Sequence, residues 1–281
     1  MKKIFGIVTL FALVLVLAAC GNGSESEEGT EEGSAEGEPA EISVAASPAP
    51  HAEILEKAAE ILAEEDITVN VEIVNDYTTP NRLLADEEVD ANFFQHTPYL
   101  DGEVESHGYE LASIGNVHIE PMAVYSNDYD SLEDIPDGST ILVSNNPAEE
   151  GRFLSFFVNA GLIEIEEGIE IQDATFDDIT ENPHNFEFDN NTAPELLVNM
   201  YENNEAPAVI INANFAIDAG LNPVEDSIVV EEGDSPYANL VAVRAGDEER
   251  PELQRLIEVL QSEEMVTFIE EEYGGTIIPA K

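Results

Sequence analysis

The sequence predicts an α/β protein built on mostly parallel sheets flanked by helices, as one large domain or two lobes. Three observations carry that expectation. Apolar strand candidates alternate with helix-period stretches of about ten to fifteen residues, the pattern of βαβ units. The stretch from Ile42 to Lys281, 240 residues, is long enough for a large core or a pair of lobes. Nothing in that stretch is apolar for long enough to cross a membrane.

Two segments precede the fold. Lys2 and Lys3 lead an apolar run from Ile4 to Ala19, the layout of a secretory signal and too short to span a bilayer comfortably. The run ends in Leu17-Ala18-Ala19-Cys20, which resembles a bacterial lipobox and so implies cleavage before Cys20 and lipidation of its thiol. Cys20 is the only cysteine, which removes intramolecular disulfides, cysteine metal sites and cysteine nucleophiles. Residues 20–41 then read as a lipidated Cys and an acidic, solvated tether, because Gly21 to Glu41 holds no aromatic residue and nothing able to bury a core.

The elements follow in order. Ile42–Ala46 is a short strand; Ile54, Leu55, Ala58, Ile61 and Leu62 give a helical stripe that fades at Asp66. Val69–Val74 alternates as a strand, Arg82–Asp86 is a short helix, Ala91–Phe94 a buried strand, and Val117–Tyr125 and Thr140–Val143 continue the series. A helix over Ala148–Gly161 precedes strands near Ala174 and Phe186, a helix over Pro194–Met200, a strand over Ala208–Asn212 and a helix over Phe215–Ala219. Ile228–Val230 and Leu240–Val243 are strands, and one amphipathic helix closes the chain from Pro251 to about Tyr273. No internal repeat is visible.

Charge excludes whole classes of function. Sixty-one Asp and Glu against nine Lys and Arg, a formal net charge of −52, repel a phosphate backbone, so nucleic acid is not a partner. An acidic excess spread over every segment reads as adaptation to high external salt, which screens the self-repulsion. There is no Gly-x-Ser-x-Gly elbow, no phosphate-cradling Gly-rich loop and no HExxH spacing among the five histidines, so neither an enzyme nor a metal centre is expected.

Against that background Arg152 stands out. It is the only Lys or Arg between Leu83 and Val243. Either it pairs with Glu149 at i,i+3 on the surface, worth little in water, or it was kept as a planar fork for a carboxylate or phosphate. Asn146-Pro147-Ala148-Glu149 has the order of an N-cap, a Pro at the first helical position and a capping-box Glu, which starts a helix just ahead of it. The second feature is "DANFFQHTPYL", which puts Phe93, Phe94, His96 and Tyr99 within seven positions of a chain only 7% aromatic. Phe93 reads as core. Phe94, His96 and Tyr99, where the strand gives way to a loop at Pro98, join Tyr77 as an aromatic wall suited to an apolar or thioether side chain.

"VAASPAPHAEILEKA", "DANFFQHTPYL", "GNVHIEPMAVYS", "AVIINANFAIDAGLNP", "DSPYANLVAVR" and "LQSEEMVTFIEEEY" closely resemble the methionine-binding lipoproteins of the NlpA family, substrate-binding components of methionine ABC importers. The resemblance implies a two-lobed, type 2-like periplasmic-binding-protein fold with two hinge crossings, near Tyr125–Tyr129 and Pro236–Asn239. Lobe I is then expected over 42–127 plus 239–281, and lobe II over 128–238. L-methionine would lie between closing lobes, its thioether against Tyr77, Phe94, His96 and Tyr99, its carboxylate on Arg152, and its backbone atoms near Asn212 and Asn239. The implied receptor is a monomer held by its N-terminal lipid on the outer face of the cell membrane. It needs no cofactor and delivers ligand to an ABC permease and ATPase. Glu149 departs from the family's usual asparagine, either as a capping residue or as a partner for the ligand's ammonium. A methionine-containing dipeptide, D-methionine or another apolar amino acid remains open as the ligand. Two rivals are a metal-delivery lipoprotein using His96, His118 and Glu120, and a non-transport surface protein.

Overall fold

The computed structural model describes residues 39–231 and 237–280. The expected signal peptide (1–19), the lipidation site Cys20, nearly all of the tether and Pro236 of the second crossing lie outside the described residues. The tether is shorter than expected at its end, because residues 40 and 41 already belong to the first strand.

The chain first lays down β1 (Ala40–Ala46), α1 (Glu53–Ala63), β2 (Ile67–Ile73), α2 (Thr79–Ala85), β3 (Ala91–His96), α3 (Thr97–His107) and β4 (Leu111–Ile119). It then crosses and builds β5 (Ala123–Tyr125), β6 (Thr140–Ser144), α4 (Glu150–Asn159), β7 (Glu164–Ile165), β8 (Ile179–Glu181), β9 (Glu187–Thr192), α5 (Leu197–Glu202), β10 (Ala208–Ile211), α6 (Ala213–Asp218) and β11 (Val229–Val230). It returns through β12 (Ala238–Arg244), α7 (Pro251–Leu260), α8 (Glu263–Tyr273) and β13 (Ile278–Pro279).

Two main sheets result, in the orders β13-β4-β12-β3-β1-β2 and β11-β5-β10-β6-β9. The period-two alternation of β1 splits its side chains between cores: Val44 packs with Leu55 and Phe93, whereas Ala45 packs with Leu84 and Leu240 on the opposite face. The second sheet is likewise covered on both faces, by the Phe153 and Phe157 cluster of α4 and by the Leu197 and Phe215 cluster.

Four expectations need correction. The sheets are mixed rather than mostly parallel: β1 pairs in parallel with β2 and β3, and β6 with β9 and β10, but β12 runs antiparallel between β3 and β4, and β5 antiparallel between β10 and β11. Mixed sheets of this kind are common among large α/β sheets. The apolar stretch Val117–Tyr125 is two strands in two sheets, so the first crossing lies at residues 120–122, ahead of the expected Tyr125–Tyr129. The region around Ala174 is extended backbone between two short 3₁₀ turns, not a strand. The closing helix breaks at Ser262, whose ψ of 158° is extended and whose hydroxyl accepts from the Met265 N–H as a fresh N-cap.

Candidate functional site

Loops and element ends from both sheets line a small cavity. Its walls are Tyr77, Phe94, Gln95, His96, Tyr99, Glu120, Asn146, Glu149, Arg152, Asn212, Ala213 and Asn239. Tyr77, Phe94, His96, Tyr99, Glu149, Arg152, Asn212 and Asn239, singled out above, are all among them.

The aromatic side is built around the junction of β3 and α3. His96 ends the strand in extended backbone and caps the helix, its Nδ1 accepting from the Tyr99 N–H at 3.2 Å. The segment after Pro98 is therefore a helix rather than the expected loop, because an imidazole supplies the cap that Ser, Thr, Asp or Asn usually provides. The Tyr77 ring centroid lies 5.9 Å from Phe94, 6.0 Å from Tyr99 and 5.0 Å from Phe215. Hydroxyls lock the wall: Tyr77 donates to Asn214 Oδ1 at 2.7 Å, and Tyr99 donates to the Tyr77 carbonyl at 2.9 Å. Burial, then Glu149 and Glu120, push the Tyr77 hydroxyl well above its ordinary pKa, so it stays a donor. Beneath Phe94, Gln95 joins Asn81 and Asn92 in a buried amide triad, with four hydrogen bonds of 2.7–2.9 Å.

The polar side comes from the start of α4 and from the second sheet. Asn146 accepts from the Ala148 N–H at 3.1 Å, the expected cap. Glu149 does not cap: its side chain turns inward, fully buried, and Oε1 accepts from Asn212 Nδ2 at 2.7 Å and Arg152 Nη1 at 3.3 Å, with His96 Nε2 at 3.4 Å. Since His96 Nδ1 is an acceptor, the ring proton sits on Nε2 and points at Glu149. Burial alone would raise the Glu149 pKa; His96, Arg152 and Asn212 outweigh it and hold the carboxyl below its usual range.

Arg152 is buried, 4% exposed. Its Nε lies 3.1 and 3.0 Å from the two carboxylate oxygens of Glu231, its Nη2 2.5 Å from Glu231 Oε2 and 2.7 Å from the Glu120 carbonyl. Its Cζ sits 4.5 Å over the Tyr237 ring. Glu231 also accepts from the Met122 N–H at 3.1 Å, so one guanidinium and one carboxylate tie the two crossings together. Sequence reasoning missed Glu231 and Tyr237. They lie 79 and 85 positions from Arg152, and in a chain with 61 acidic residues no local signal marks one glutamate as the partner.

Behind Asn239 lies a second polar group. His51 Nε2 is 3.0 Å from Asn239 Oδ1 and 3.1 Å from Glu120 Oε1, and His118 Nε2 is 2.7 Å from the same oxygen. Burial pushes His51 down to about 4, Glu120 and Asn239 opposing and His118 adding to the fall, and pushes His118 down to about 3. Burial raises Glu120, with His51 and Arg152 opposing. Among the described residues the donor set that could hold a metal ion is therefore His51, His118 and Glu120, not the His96, His118 and Glu120 of the rival metal-delivery reading, since His96 turns to Glu149. Its chemistry suits hydrogen bonding better: His118 Nε2 bonds Glu120, His51 Nε2 bonds Asn239 Oδ1, and both Nδ1 atoms lack a partner, whereas metal-bound imidazoles normally engage the second nitrogen.

Residues 42–281 match the family described as NlpA lipoprotein. The chain belongs to that family. It is 46% identical over 281 residues to the methionine-binding lipoprotein MetQ of Bacillus subtilis, covering 99% of each chain. Among solved structures it resembles a pheromone cOB1 precursor/lipoprotein of the YaeC family from Enterococcus faecalis, at 41% identity and a TM-score of 0.84, covering 86% of this chain and 100% of that one. It also resembles a nutrient binding protein from Burkholderia cenocepacia bound to methionine, at 35% identity and a TM-score of 0.80, covering 85% of this chain and 100% of that one. These likenesses cover 85–86% of the chain, and the fold is a two-lobed α/β architecture like theirs.

Proposed function

We propose that the chain is an extracytoplasmic receptor, anchored by lipid at Cys20, that encloses L-methionine between its lobes and hands it to an ABC permease and ATPase. It carries out no catalysis of its own. The observation that carries this reading is the cavity itself, with rings on one wall and an ion-paired guanidinium and amides on the other, in a chain 46% identical to a protein named for methionine binding. The thioether would pack against Tyr77, Phe94 and Tyr99, where sulfur gains from ring edges. The carboxylate would meet Arg152 through Nη1, and Asn212 and Asn239 would hold the backbone atoms. Relatives from Salmonella typhi and other bacteria are named D-methionine-binding lipoproteins, so stereochemistry belongs in the test.

A thermal-shift panel of L- and D-methionine, other apolar amino acids, Met-containing dipeptides and divalent metals tests the reading. A ligand at 100 times its dissociation constant stabilises the fold by about 2.7 kcal/mol. A rise with L-methionine and none with metals is expected; stabilisation by Zn²⁺ or Mn²⁺ alone would replace the receptor with a metal carrier.

A further inference from the structure

The cavity's charges do not balance. Among the described residues Arg152 is the only cation on its wall, and three of its five N–H groups are already spent, Nε–H and one Nη2–H on Glu231 and the other Nη2–H on the Glu120 carbonyl. One Nη1–H goes to Glu149. A ligand carboxylate thus meets a single remaining N–H, beside two carboxylates that already share the one positive charge. Glu149 is the opposite case. It is fully buried and faces the cavity, and among the described residues its Oε2 has only the Ser144 hydroxyl at 3.4 Å, leaving lone pairs for a donor. A carboxylate brought in alone adds a third negative charge around one guanidinium. An ammonium brought in offsets the surplus.

We propose that this site selects its ligand first by a primary ammonium group, received by Glu149, and that the ligand's carboxylate is the weaker determinant. The ligand class is a primary amine carrying an apolar or thioether tail, of which an α-amino acid is one member. The inference rests on the receptor reading and sharpens it. Deleting the ammonium leaves Glu149 Oε2 in the cavity without a cationic donor, whereas deleting the carboxylate leaves Arg152 with the partners it already has, so the first deletion should outweigh the second.

Two near-isosteric analogues separate the terms in calorimetric titrations of the full chain. 2-Hydroxy-4-(methylthio)butanoate keeps carboxylate and thioether and replaces the ammonium by hydroxyl; L-methioninol keeps ammonium and thioether and replaces the carboxylate by hydroxymethyl. Relative to L-methionine, the hydroxy acid should bind about 100-fold more weakly or worse, and methioninol within about tenfold. Glu149→Gln should weaken L-methionine and methioninol by about 30-fold or more and leave the hydroxy acid unchanged or improved. A hydroxy acid that binds as well as methioninol, or a Glu149→Gln protein with unaltered L-methionine affinity, overturns the inference while leaving the receptor intact. Wild-type protein that binds neither L-methionine nor either analogue overturns the receptor reading, and the inference with it.

Discussion

Arg152 and Glu231 form a two-pronged ion pair across the entrance to the second crossing, with Nε within 3.1 Å of both carboxylate oxygens and Nη2 at 2.5 Å from one of them. Because Glu149 leans on the same guanidinium, deleting Arg152 takes the shared cation from two carboxylates, one of them fully buried. Arg152→Ala should therefore destabilise the ligand-free protein by about 3–5 kcal/mol in denaturant titrations. A loss below about 1 kcal/mol would mean that the pair contributes no more than a surface bridge.

Gly151 sits one residue before that arginine with no room for a side chain. A Cβ there would come within 2.0 Å of the Ile171 carbonyl oxygen, which is backbone and cannot swing away. Gly151→Ala should cost about 1–3 kcal/mol or more, and should blunt ligand-induced stabilisation because α4 carries Arg152. An unchanged melting midpoint in a thermal scan would contradict the close approach.

The Tyr77 hydroxyl holds the aromatic wall against Asn214, whose side chain is buried. Tyr77→Phe keeps the ring and removes the donor, so it should lower stability by about 1–3 kcal/mol, read by chemical denaturation. Ligand affinity should fall less than in Tyr77→Ala, which deletes the ring as well.

His51 and His118 hold fewer protons when folded than when unfolded, since burial depresses both from 6.5 to about 4 and about 3. Their contribution is complete above pH 6.5 and is lost as the pH falls through 4 to 3. Glu120, raised by burial, works the other way: its part is present at low pH and fades as the pH rises through its folded pKa. Net stability should fall from pH 6.5 to 4 in about 1 M salt, where the Debye length of about 3 Å mutes the acidic self-repulsion. Midpoints for His118→Gln should fall less steeply over that window; an equal slope would exclude the imidazole as the cause.

Much of this site was legible because the composition is lopsided. With nine cations in 281 residues, one guanidinium in a 161-residue stretch is a loud signal, and so is a knot of rings in an aromatic-poor chain. Glu149 looked like a cap because its position after Asn146-Pro147 fits one, and only the packing of α4 against Asn212 and His96 turns it inward. Helix α3 was hidden because its cap is a histidine. The crossing at 120–122 was hidden because two strands in different sheets are joined by three residues, so apolar character runs on while the partner sheet changes.

The double engagement of His96 has one more implication. The same five-membered ring starts α3 with one nitrogen and addresses Glu149 with the other, so both contacts hang on one rigid group. An occupant tugging on Glu149 therefore also pulls at the root of the helix whose Tyr99 roofs the chamber. The ring's two ¹⁵N resonances would register both events at once, a spectroscopic reporter that needs no added label beyond isotope.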